Sequence, residues 1–158
     1  MKNLLKVSNL KCGFVFLMFF MANTLFAQEK TESDLSVVKT VNDADLNWGP
    51  CPPFMPAGCS IAVLNGDPAK NNVDVYFKVL ANSEIPEHYH TSAERMILVS
   101  GELQVTYTGE KEQILRPGTY AYGPATKPHS AKCGGNGPCV LFIAFEEPLD
   151  AFPFVEKK

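Results

Sequence analysis

From Val73 to Leu80 the chain reads VDVYFKVL, which puts Val73, Val75, Phe77 and Val79 on one side of an extended segment and Asp74, Tyr76 and Lys78 on the other. That alternation predicts a strand with its odd positions facing a core. Further short strands are expected at Ile61 to Leu64, Arg95 to Val99, Glu102 to Tyr107 (Leu103, Val105 and Tyr107 inward), Glu112 to Leu115, Thr119 to Tyr122 and Val140 to Phe145. Gly101, Gly109, Gly118 and Gly123 fall between or beside them, where turns need positive φ or close approach. The segment Trp48 to Cys59, WGPCPPFMPAGC, is too rich in proline for a helix or a central strand and is expected to wrap one rim. No 3.6-residue period is sustained and no repeat occurs. Many short strands without helices imply an all-β sandwich or barrel around one interior.

The first 27 residues break this pattern. Lys2, Lys6 and Lys11 precede the compact apolar run GFVFLMFFM (Gly13 to Met21), then Asn23-Thr24 and Leu25-Phe26-Ala27. This is the layout of a signal peptide cleaved near Ala27, giving a periplasmic or secreted protein. The apolar run is shorter than the ~20 residues of a spanning helix, so no stable membrane anchor is expected. Residues 28–47 then read as an N-terminal arm and 48–158 as a single β-barrel domain. The 158 residues carry 14 basic and 17 acidic groups; without the head the balance is 11 to 17, a net charge of −6. Such an acidic body cannot neutralise a phosphate backbone, which argues against nucleic acid as a partner.

Export changes how the cysteines read. Cys12 leaves with the head, and Cys51, Cys59, Cys133 and Cys139 remain in a compartment where disulfides persist. The two tight groups CPPFMPAGC and CGGNGPC suggest the local pairs Cys51 with Cys59 and Cys133 with Cys139, with cross-pairing as the rival. Neither group is a C-x-x-C motif, so zinc ligation and redox catalysis are weaker readings.

The chemistry concentrates in EIPEHYHTSAERMILVSG, Glu84 to Gly101, which holds two of the three histidines in the protein. His88 and His90 are one residue apart, a spacing that aims both rings at one face of a strand. Glu94 shares their parity, and a modest bend at Thr91-Ser92-Ala93 would return its carboxylate to the same side. His129 sits far along the chain in PATKPHS. Imidazole nitrogen and carboxylate oxygen suit a borderline divalent metal, and these four side chains could surround one ion in a small barrel. Tyr89 and Arg95 have the opposite parity and are expected to point away, while Met96 and Leu98 are expected to line the pocket. Tyr107, Tyr120 and Tyr122 carry hydroxyls but read by default as core.

These two stretches resemble the cupin motifs. HYHTSAE with Gly101 is similar to the first, whose metal ligands are the two histidines and the glutamate; GTYAYGPATKPH, Gly118 to His129, is similar to the second, whose histidine is the fourth ligand. Asn82 and Thr126 stand where the motifs often have glycine, and Cys133 where asparagine often closes the second. Upstream, WGPCPPFMPAGCSIAVLNGDPAK resembles the lead-in of small exported single-domain cupins. The resemblance implies an all-β double-stranded β-helix, or jelly-roll barrel. It also implies one divalent transition metal ion (iron, manganese, zinc, nickel, cobalt or copper) on His88, His90, Glu94 and His129, and a homodimer. The function expected is a metal-dependent enzyme, a dioxygenase or an isomerase, acting on a small oxygen-bearing ligand by inner-sphere chemistry with Glu94 as catalytic base. The alternative is a non-catalytic, metal-stabilised protein that binds a small molecule.

Overall fold

The computed structural model describes residues 36–156. The expected signal peptide, residues 1–27, and the first part of the expected arm lie outside the described residues. Among the described residues there are eleven strands and no helix: β1 Trp48–Pro50, β2 Ser60–Asn65, β3 Val73–Val79, β4 Glu84–Tyr89, β5 Glu94–Ser100, β6 Leu103–Tyr107, β7 Gln113–Leu115, β8 Tyr120–Gly123, β9 His129–Cys133, β10 Cys139–Phe145 and β11 Phe152–Pro153. Those expected from the alternation are present, with ends shifted by a residue or so. All pairings are antiparallel. One sheet runs β1-β2-β3-β10-β5-β8 and the other β11-β4-β9-β6-β7, so strands close in sequence alternate between two facing sheets. This is the double-stranded β-helix.

Period-two burial places the core. On β3 the inward Val73, Val75 and Val79 are at most 1% exposed, and on β6 Leu103, Val105 and Tyr107 alternate with half-buried neighbours. Tyr76 points outward from β3 yet is only 9% exposed. Its hydroxyl donates to the carbonyl of Lys39 at 3.2 Å, so part of the segment before β1 covers that face. Tyr120 and Tyr122, read as core from the sequence, are instead exposed on β8, because this strand ends its sheet and turns their parity outward. Leu98 is fully buried but belongs to the packed core rather than to the pocket that Met96 lines, which corrects the expectation for this residue.

Two disulfides close local loops, Cys51–Cys59 and Cys133–Cys139, which decides between the local and crossed pairings. Cys133 therefore departs from the motif's usual asparagine to take part in a crosslink. The second bond lies against Gly101, whose φ is +83° and whose added Cβ would come within 2.8 Å of Cys139 Sγ and 2.9 Å of the Pro138 carbonyl. Only glycine fits there. Two disulfides suit an oxidising, extracellular or periplasmic setting. No helix of the described residues is long and apolar enough to cross a membrane.

Candidate metal centre

Three neighbouring strands of the smaller sheet bring the site together. In the register across β4, β9 and β6, His88 lies opposite His129, and His129 opposite Tyr107. Residues so paired share a face of the sheet, here the inner one, and the ring centroids of His88 and His129 are 4.2 Å apart. Pro86 interrupts β4 where the register shifts between Ile85 and His88, a place where a strand tolerates proline. His90 follows the end of β4, with its ring 5.0 Å from that of His88 and edge-on to Phe145 at 5.3 Å.

Glu94 arrives by a different route from the one its parity suggested. The turn at Thr91 to Ala93 carries the chain from one sheet to the other, so Glu94 opens β5 and meets the histidines from the facing sheet. The crossing is pinned. The buried Ser92 hydroxyl accepts the amides of Glu146 and Glu147, each at 2.9 Å, and the Asp150 carboxylate accepts the Thr91 amide at 2.9 Å and the Thr91 hydroxyl. Glu94 is 3% exposed, with its oxygens 3.4 Å from His129 Nε2 and 3.7 Å from His90 Nε2.

The tautomers follow from the partners. Nδ1 of His88 faces the Pro86 carbonyl at 2.8 Å, Nδ1 of His129 faces the Lys127 carbonyl at 3.2 Å, and Nδ1 of His90 faces the Asp150 carbonyl. A carbonyl only accepts, so each Nδ1 carries the proton and each Nε2 is left as a lone pair. Burial, reinforced by the neighbouring imidazoles, pushes His88 down to about 4 and His129 down to about 3, which keeps both neutral. Burial raises Glu94, against the opposing pull of His90 and the Tyr107 hydroxyl.

One potential ligand atom from each of His88, His90 and His129 lies within 4.8 Å of the others, so the three histidines are positioned to hold a metal ion. The donor chemistry fits as well. Two ligands ~2.1 Å from a common ion stand ~3.4 Å apart at the tetrahedral angle, close to the His129–Glu94 separation. The ring nitrogens turned from the carbonyls and the Glu94 carboxylate are acceptors gathered on one another, an arrangement that a cation or a proton among them would stabilise. Arg95 and Tyr89 point away as expected: Arg95 pairs with Glu146 and Tyr89 stacks on Phe152.

Sequence reading missed Tyr107, whose hydroxyl donates to Glu94 Oε1 at 3.4 Å from the opposite sheet. Its inward parity was legible; its partner was not. It also missed the reason for Gly123, where a Cβ would fall 2.5 Å from the Tyr107 hydroxyl and 2.7 Å from Glu94 Oε1. The space that glycine leaves lets these two groups meet. The disulfide loop adds Phe54, with its ring 6.2 Å from that of His88.

No curated protein sequence matches the chain. Among solved structures, one of DMSP lyases superposes with a TM-score of 0.62 at 16% identity, covering 70% of this chain and 63% of that one. The DMSP lyase DddQ from Ruegeria pomeroyi gives 0.59 at 18% identity over 68% and 60%, and the polyketide cyclase RemF from Streptomyces resistomycificus 0.61 at 20% over 77% and 88%. The chain thus spans less than two thirds of either lyase, and at such identities the likeness is one of fold. The cupin domain model matches residues 75–145, from Val75 in β3 to Phe145 at the end of β10. That stretch carries all three histidines and strands of both facing sheets, and it is a cupin domain.

Proposed function

We propose that the protein is an exported, metal-dependent enzyme that acts on a small oxygen-bearing molecule. The observation that carries this reading is the orientation of the three imidazoles, each with its Nδ1 proton committed to a carbonyl and its Nε2 turned to a common point. Such outer hydrogen bonds fix metal-ligating histidines elsewhere. A bound divalent ion would supply Lewis acidity, and, if redox-active, oxidative chemistry, at positions left open by the protein ligands.

His88, His90 and His129 hold that ion in this reading, with Glu94 as the fourth ligand. Glu94 is also the carboxylate beside His90 and His129, and its raised pKa suits a group that accepts a proton from a substrate. Tyr107 holds the Glu94 carboxylate in place, and the apolar walls exclude water from it. Iron, manganese, zinc, nickel, cobalt and copper all accept this donor set.

Elemental analysis of natively purified protein is the first test, with about one metal ion per chain expected. Turnover across a panel of phenols, diketones, thiols and sugars, abolished by His129→Ala with folding retained, supports the enzyme. A metal-bound protein that converts nothing, yet melts lower after chelation, supports the non-catalytic binding protein instead. Absence of metal, with no effect of chelator, ends both readings.

A further inference from the structure

Inward from the metal centre lies a cavity of about 470 Å³ between the two sheets, within the range of sites for drug-sized molecules. Its polar groups are confined to one end. His88, His129 and Tyr107 form one row across the smaller sheet, and Glu94 faces them from the larger. The next rows inward are wholly apolar: Met96, Ile143 and Val75 are in register on one wall, and Ile85, Ala131 and Val105 on the other. Beyond them Val79 and Cys139, paired on one sheet, and Cys133 on the other are fully buried in the packed core. Half-buried Met55 in the disulfide loop and Leu149 and Asp150 opposite line the way in.

The charge of the lining is equally one-sided. It contains no lysine or arginine, and its two charged side chains, Glu94 and Asp150, are both acids, the second already engaged by Thr91. A hydroxyl or charge on the body of a ligand would be stripped of water against these aliphatic walls and given no partner, which disfavours both and a charge most of all. Sugars, phosphates and amino acids do not match such a chamber.

We propose that the site takes an amphipathic molecule with a single oxygen-bearing head, placed at the histidine row, and an uncharged apolar body of several carbons lying along the second rows. This rests on the metal reading above for the head group only. The body is specified by the walls.

Calorimetric titration of the full mature chain, metal-free and zinc-loaded, with 2-butanone, 2-hexanone and 2-octanone tests it. Each buried methylene should tighten binding about fourfold, so each two-carbon step should gain about 16-fold, saturating at one molecule per chain. Glucose and adipate, whose bodies carry hydroxyls or a second charge, should bind at least a hundredfold more weakly than 2-octanone. An affinity that does not change with chain length, or tighter binding of glucose or adipate, overturns the inference even if zinc binds. A zinc titration that fails while the methylene gain persists removes the metal reading and leaves this one standing.

Discussion

The hydroxyl of Tyr107 and the carboxylate of Glu94 meet from facing sheets at 3.4 Å, one of the hydrogen bonds that join the two layers beside the histidines. The hydrogen bond favours the ionised carboxylate and so lowers Glu94 against the larger upward push of burial. Tyr107→Phe removes the donor and keeps the ring. Glu94 should then hold its proton to higher pH, and metal affinity should fall about tenfold, the low end for lost outer partners of metal ligands. Zinc titration by calorimetry reads this, and unchanged affinity would show that Tyr107 only packs. Gly123→Ala, which intrudes on both groups, should weaken binding at least as much.

Removing the chain after Glu147 should abolish tight metal binding while leaving β3 to β10 in place. His90 owes its tautomer to the Asp150 carbonyl, and the Asp150 side chain pins Thr91 beside it. Metal content per folded chain, with circular dichroism as the control for folding, checks this. One ion retained per truncated chain would mean that His90 is held by its own loop.

The metal-free protein should lose stability as pH falls below 6.5. His88 and His129 have folded pKa values of about 4 and about 3, below the ordinary 6.5. The unfolded chain therefore takes up their protons first, and stability present above 6.5 drains away down to these values. From the shift of His88 alone the loss is on the order of 3 kcal/mol. Glu94, raised by burial, acts in the opposite sense: its contribution is full below its ordinary 4.5 and is lost as pH rises through its folded value. Urea unfolding of wild type and His88→Gln at pH 6.5, 5 and 4 isolates the histidine, since the variant should show a shallower decline. Ring signals of His88 that titrate near 6.5 would contradict the burial argument.

Strand alternation made most of the fold legible, because VDVYFKVL and LQVTY show period two without help from their neighbours. The strand beginning at His129 was not legible. In HSAKC only the two ends are buried, and what makes it a strand is its place between β4 and β6, both distant in sequence. The three histidines could be grouped by ligand type and spacing. Tyr107 could not be added to them, since a tyrosine facing inward reads as packing until the opposite sheet is known. The crossing at Thr91 to Ala93 was likewise hidden: parity holds along one strand and says nothing once the chain changes sheets.

Replacing Cys133 and Cys139 together by alanine should cost about 2 kcal/mol of stability and leave metal affinity within a factor of two. Their loop is short, with a sequence separation of 6, so the chain entropy removed from the unfolded state is modest. Leu103 and Cys133 are paired at one end of β6 and β9 and Tyr107 and His129 at the other, which places the crosslink and the metal centre at opposite ends of these strands. Thermal unfolding with and without zinc separates the two effects. A large loss of metal would show that the ends are coupled through the core.

Thr126→Gly should stabilise the protein. Asn82 and Thr126, the two positions where the cupin motifs often carry glycine, keep the left-handed backbone at φ +62°. Asparagine tolerates this region, whereas a β-branched side chain is strained there. The conformation at 126 is held by its amide, which donates to the His90 carbonyl at 2.7 Å and so ties the loop before β9 to a metal ligand. Glycine relieves the strain and keeps that amide, but it also gives the unfolded chain more freedom, which offsets part of the gain. A net increase of about 1 kcal/mol in urea unfolding is expected, with metal affinity unchanged. A loss of stability would mean that the threonine side chain contributes more to the loop than its backbone strain removes.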